Sequence, residues 1–97
     1  MARTRKSAFG HLVGQSFGKL LWKYRNKAHL SVQKLSDKSG VDRKYLYQLE
    51  CGTSLPSLEI VFRLADALAV DSAELVGETQ SLVVRASRRL RPRRRAA

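Results

Sequence analysis

Cysteine and histidine, the side chains from which metal centres and covalent catalysts are most often assembled, are almost missing from this 97-residue sequence. Cys51 stands alone, and His11 and His29 are the only histidines. A lone cysteine cannot form a disulfide within its own chain, and none of the three residues falls at metal-ligand or triad spacing with a carboxylate. No catalytic residue, metal site or cofactor is expected, and the chain is not read as an enzyme. No strand-like segment precedes Gly10, Gly14 and Gly18, which removes a glycine-rich phosphate loop from consideration. Long apolar runs are absent as well. Nothing approaches the roughly 18 uninterrupted apolar residues of a membrane helix, and no secretory apolar segment follows Arg3, Arg5 and Lys6. These gaps point to a soluble protein of a reducing cytoplasm. At this length one modest core is expected, with any remaining segments serving as arm or tail.

Acidic residues are the other scarcity, 8 against 19 lysines and arginines, for a net charge of +11. Their placement is uneven. Residues 1–18 and 80–97 contain no acid and together hold +10, residues 19–44 hold +6, and residues 45–79 hold −5. The middle of the chain is thus a dipole. A polyanion is drawn to the half containing Lys19 to Lys44 and repelled from the half containing Glu50 to Glu78, so the charge pattern is the electrostatic footprint of a nucleic-acid binder.

Hydrophobic periodicity divides the rest into helices. Residues 1–13 lack sustained periodicity and contain Gly10, and are read as a flexible basic arm. Phe17, Leu20, Leu21 and Tyr24 recur at the spacing of one helical stripe, with Trp22 at its edge. Ser31 is placed to cap a second helix that Gly40 ends, and Asp42 to cap a third. In that third helix Tyr45, Leu46 and Leu49 point inward and Arg43, Lys44, Tyr47 and Gln48 outward. Gly52 closes it, and Leu58, Val61, Phe62, Ala65 and Leu68 mark the buried stripe of a fourth. Asp71 and Glu74 open a short fifth helix through Val76. The domain therefore spans residues 14–78. Residues 79–97 are read as an arginine-rich, disordered tail. Its apolar island, Leu82 to Val84, fits either packing back on the domain or self-association.

Two short helices joined by a tight turn can place the second in the major groove of DNA. At this point the residues themselves resemble a family. The run SVQKLSDKSGVDRKYLYQLECG, followed by LPSLEIVFRLADALAVDSAEL, is similar to the Cro and phage-repressor (XRE) helix-turn-helix family over about residues 17–76. The Asp42, Arg43, Tyr45 pattern is similar to its restriction-modification controller branch. The resemblance implies an all-α, five-helix, lambda-repressor-like domain whose third helix reads bases. It assigns base reading to Arg43, Lys44, Tyr47 and Gln48, whose donors and acceptors suit guanine, adenine and thymine edges. It assigns phosphate contacts to Ser31, Gln33, Lys34, Lys44, Thr53 and Ser54, and a structural ion pair to Arg25 and Glu50. The chain departs from the family pattern at three places. Val32 stands where a glutamine usually buttresses the recognition helix, with Gln33 the candidate substitute; Ser36 replaces alanine; Ala69 replaces the glycine that ends the fourth helix.

The expected function is that of a transcriptional regulator of the bacterial or phage cytoplasm, associated with the nucleoid. It would bind double-stranded operator DNA by occupancy, as a homodimer, and act as repressor or activator. Arg88, Arg89, Arg91, Arg93, Arg94 and Arg95 would add affinity without sequence choice. Two other readings remain: an antitoxin-type module that binds a toxin as well as DNA, and a nonspecific nucleic-acid coat acting through the basic ends.

Overall fold

The computed structural model describes residues 7–90, and for Leu90 only the backbone. Five helices follow one another: α1 (Ala8–Lys27), α2 (Val32–Ser39), α3 (Arg43–Cys51), α4 (Leu58–Ala67) and α5 (Ser72–Leu90). Short polar side chains set their starts. The hydroxyls of Ser7, Ser31 and Ser57 and the carboxylate of Asp42 each accept a hydrogen bond from the backbone amide three residues on, satisfying one of the donors a helix leaves open at its first turn. The ends of α1 and α4 are also alike. Leu30 N donates to Arg25 O and Val70 N to Ala65 O, and the residues just before them, His29 and Ala69, take left-handed backbone angles at φ 59° and 58°. Glycine usually fills that position because it has no Cβ to crowd the carbonyl.

One core holds the helices together. Leu21, Leu35, Leu46, Leu49, Leu64 and Leu75 are fully buried, one or two from each helix, with Phe17, Leu20, Val41 and Val61 around them. α1 packs against both α3 and α5, α2 against α3 and α4, and α4 against α5. Burying each leucine contributes about 2 kcal/mol, so the six form the main cohesive term for elements as short as α2 and α3. Helices of 8 and 9 residues are too short to persist alone in water.

Two boundaries and one buried face differ from the sequence reading. The arm assigned to residues 1–13 is helical from Ala8, because Ser7 caps it and Leu12 and Val13 are half-buried. Residues 1–6, with Arg3, Arg5 and Lys6, lie outside the described residues. The tail assigned to residues 79–97 is helical as far as Leu90. Thr79 and Val83 are buried one and two turns after Leu75, and Thr79 donates its hydroxyl proton to the Leu75 carbonyl. The apolar island is divided: Val83 is buried and Leu82 packs on the core, while Val84 is exposed. Arg91, Arg93, Arg94 and Arg95 lie outside the described residues. In α4 the buried face is Val61, Leu64, Ala65, Ala67 and Leu68, whereas Leu58 and Phe62 are 64% and 51% exposed. The reading had placed both inside, since i, i+4 spacing alone leaves a stripe's edge undefined.

Candidate nucleic-acid interface

The turn between α2 and α3 is three residues long, Gly40 to Asp42. Gly40 adopts φ 74°, which a side chain would strain, and its amide bonds to the Ser36 carbonyl. Three short side-chain bonds then fix the turn. Ser36 donates to the Val41 carbonyl at 2.6 Å, Ser39 donates to the Leu35 carbonyl at 2.7 Å, and the Val41 amide donates to the Ser39 hydroxyl at 3.1 Å. Ser36, read from the sequence as a small residue replacing another, therefore also ties the second helix to the chain entering the third.

α3 is held from behind. Gly18 of α1 lies against the carbonyl end of α3: a Cβ there would stand 2.8 Å from the Glu50 carbonyl oxygen and closer still to that of Leu49. The two backbones meet with no side chain between them. Arg25 closes the same seam with a two-pronged ion pair to Glu50, Nε to Oε2 at 2.6 Å and Nη2 to Oε1 at 3.0 Å, and its third donor reaches the Leu30 carbonyl at 2.9 Å. Both side chains are nearly buried, at 12% and 10% exposure, so the pair is screened little by solvent. The hydrogen bond to Glu50 holds the Arg25 pKa above its ordinary value despite burial. Tyr45 adds a third anchor by donating its phenol proton to the Leu55 carbonyl at 2.9 Å.

The opposite face of α3 is open, and Arg43, Lys44, Tyr47 and Gln48 are all exposed on it. Arg43 is steadied by Gln33, whose Oε1 accepts from Arg43 Nη1 at 3.2 Å while its Nε2 donates to Asp37 at 2.9 Å. Val32, at the place of the usual buttress, is buried, and the bracing bond to α3 comes instead from the next residue. Gln48 accepts at Oε1 from the Ser54 hydroxyl at 3.3 Å, and its carbonyl accepts from the Thr53 hydroxyl at 3.1 Å. The side chains of Lys44 and Tyr47 make no hydrogen bond among the described residues. At the start of α2, Ser31 Oγ accepts from the Lys34 amide; this leaves its proton available to a phosphate beside the unpaired first amides of the helix. Gln33 and Lys34 are exposed next to it, and Thr53 and Ser54 follow the far end of α3.

Residues 23–75 match the family model described as helix-turn-helix. The chain belongs to that family. Its members are DNA-binding transcription regulators of the XRE type. An HTH-type transcriptional regulator of Mycobacterium tuberculosis is 39% identical over 59 residues, covering 61% of this chain. The chain spans only 41% of that relative's length. An HTH-type transcriptional regulator of Sinorhizobium fredii is 35% identical over 68 residues, with 70% of this chain and 83% of the relative covered. Among solved structures, the restriction-modification controller protein C.AhdI of Aeromonas hydrophila superposes with a TM-score of 0.62 at 35% identity, over 64% of this chain and 94% of the other. The clp gene regulator ClgR of Corynebacterium glutamicum gives 0.69 at 24% identity, over 79% and 83%, a likeness of fold.

Several contributors escaped the sequence reading. The sequence reading treats Gly18 only as a phosphate-loop candidate, although Gly14 and Gly18, one turn apart, also mark one close-packing helix face. The bond from the Tyr24 hydroxyl to Glu78, which ties α1 to α5 across 54 residues, had no local signal. Among the described residues no group of histidine, cysteine and carboxylates is placed to hold a metal ion, and no helix is long and apolar enough to cross a membrane.

Proposed function

We propose that the protein is a sequence-specific, duplex-DNA-binding transcriptional regulator that acts by occupying an operator as a homodimer. The observation that carries this reading is the two-sidedness of α3. Arg43, Lys44, Tyr47 and Gln48 share its exposed face, while Gly18, Arg25 and Leu49 secure the other. A helix fixed in this way enters the major groove in one pose, so its donors and acceptors meet base edges at defined positions. Arg43 is the leading candidate for guanine, since Gln33 already orients its guanidinium; Gln48 suits adenine. Ser31, Gln33, Lys34, Lys44, Thr53 and Ser54 hold phosphates at the two ends of the helix-turn-helix and set its register on the duplex.

One α3 of 9 residues reads too few base pairs for a selective site, which favours two copies reading half-sites about one helical turn apart. An apolar groove lined by Val13, Leu55, Pro56, Leu58 and Val76 supports such pairing. Phe62, one turn along α4 from Leu58, extends the exposed apolar surface. A two-fold axis through this surface covers it with its own copy. Selection of binding sites from random duplexes at near-physiological salt tests the proposal. The expected result is an enriched palindromic motif. Recovery of no motif, with equal binding to scrambled duplexes, overturns base reading; a non-palindromic half-site bound by a monomer overturns the dimer.

A further inference from the structure

A second cationic feature lies between α1 and α5. The first half of α1 and the second half of α5 run side by side, and a groove of about 500 Å³ opens between them. Lys19, Arg85 and Arg89 line it, with Gln15 and Ser16 supplying polar groups and no carboxylate contributing. α1 contains no acidic residue, and α5 contains none after Glu78. The ion pairs among the described residues are Arg25–Glu50 and Arg63–Glu59, so the three cations lining the groove have no carboxylate within ion-pair distance. Gathering like charges around one depression is unfavourable for the domain alone and becomes favourable when an anion enters.

Position indicates which anion. Gln15 lies against the end of α3, since a Cβ on Gly52 would stand 3.1 Å from the Gln15 Cα. Thr53 and Ser54, the candidate phosphate donors after α3, come next in the chain. The groove therefore opens beside the loop that carries these donors. Phe9 and Arg88 border a common depression, so the start of α1 and the end of α5 lie at the same end of the molecule. From there the sequence leads into Arg3, Arg5 and Lys6 on one side and Arg91, Arg93, Arg94 and Arg95 on the other.

We propose that this groove is a second phosphate site, in which Lys19, Arg85 and Arg89 hold backbone phosphates of duplex DNA beyond the base pairs that α3 reads. The inference rests on the DNA-binding reading above and adds to it a footprint longer than the operator. Neutralising a phosphate releases counterions and steepens the log affinity against log salt slope by about 0.9 per contact.

The test compares the full chain with the K19Q/R85Q/R89Q variant on two duplexes. One is trimmed to the selected site, and the other carries the same site with roughly 10 further base pairs, about one helical turn, on each side. With three contacts from each of the two protomers, the expected result is a slope shallower by about 5 on the long duplex, an unchanged slope on the trimmed one, and the same preferred motif. An unchanged slope on the long duplex overturns the site. An equal loss on both duplexes also overturns it, because the cations would then belong to the operator contact. Loss of single-stranded RNA binding with the duplex slope retained assigns the groove to RNA and overturns it too. If the triple variant melts below the assay temperature, the three single variants carry the test, each expected to lower the slope of the dimer by about 2, one contact in each protomer. Failure of the underlying reading is separately visible as wild-type protein that does not distinguish its site from a scrambled duplex.

Discussion

α1 meets α3 and α5 in two different ways. Against α3 it brings backbone to backbone at Gly18 and closes the seam with a nearly buried ion pair. Against the second half of α5 it leaves grooves on both sides, lined by exposed Phe9 and Val84 on one and by Lys19, Arg85 and Arg89 on the other. The first contact has almost no room for change and sets the pose of one helix. The second is held by Leu82 and Val83, with the Tyr24–Glu78 bond one turn earlier along α5, and tolerates charge and apolar surface at its rims. The difference teaches that rigidity is concentrated where orientation matters, and that surface chemistry lies where packing is looser.

The strongest way to break this contrast is Gly18→Ala. Its methyl group meets two backbone carbonyls that cannot rotate away, so α1 and α3 must separate. A loss of at least about 3 kcal/mol in denaturant unfolding is expected, whereas Gly77→Ala, with open space around its Cβ position, should cost nothing and gain helix propensity. Arg25→Ala comes next. It leaves the Glu50 carboxylate nearly buried without its partner, which costs about 3 kcal/mol and lowers the melting point by more than about 10 °C. The open face of α3 is expected to behave in the opposite sense. Arg43→Ala should leave the melting point within about 2 °C and weaken DNA binding by about 1 to 3 kcal/mol, concentrated at one base position in a competition series. Uniform weakening across all sequences would make Arg43 a phosphate contact only.

Smaller effects sharpen the picture. Ala69→Gly relieves the left-handed strain at the end of α4 and should raise stability by about 1 kcal/mol, read as a higher denaturant midpoint. The α1–α5 seam has a titratable tie. The hydrogen bond from Tyr24 to the Glu78 carboxylate, aided by burial and by the negative charges of Glu78 and Glu74, pushes the phenol up to about 12 from 10.0. The folded state thus holds this proton more tightly than the unfolded chain does. The contribution is complete below pH 10 and is lost as the pH rises toward about 12. Tyr24→Phe should therefore be less stable than wild type at pH 8, and the gap should narrow above pH 10.

Much of the fold was legible because its signals are local. The caps Ser31 and Asp42, the stop at Gly40 and the leucines at 35, 46, 49 and 64 lie at spacings that a helix-turn-helix requires. The exposed quartet of α3 followed from helical spacing and the Arg25–Glu50 pair from the family resemblance, and the pair is present as an ion pair. The extent of α1 and α5 was not legible. Gly10 in one and the serine, threonine and arginine content of the other lower intrinsic helix propensity or resemble a disordered tail. Each segment becomes helical where the other supplies an apolar partner: Leu12 and Val13 from one side, Leu82 and Val83 from the other.

The sequence alone determined the helical class, the turn, the charge dipole and the residues that α3 turns outward, because each depends on neighbours within a few positions along the chain. Tertiary structure alone decided that Gly18 must be glycine, that the partner of Gln33 on α3 is Arg43, that Leu58 and Phe62 face outward, and that Lys19 shares a groove with Arg85 and Arg89. Those outcomes depend on which helices meet and how closely, and residues separated by 10 to 70 positions carry no periodic trace of their encounter.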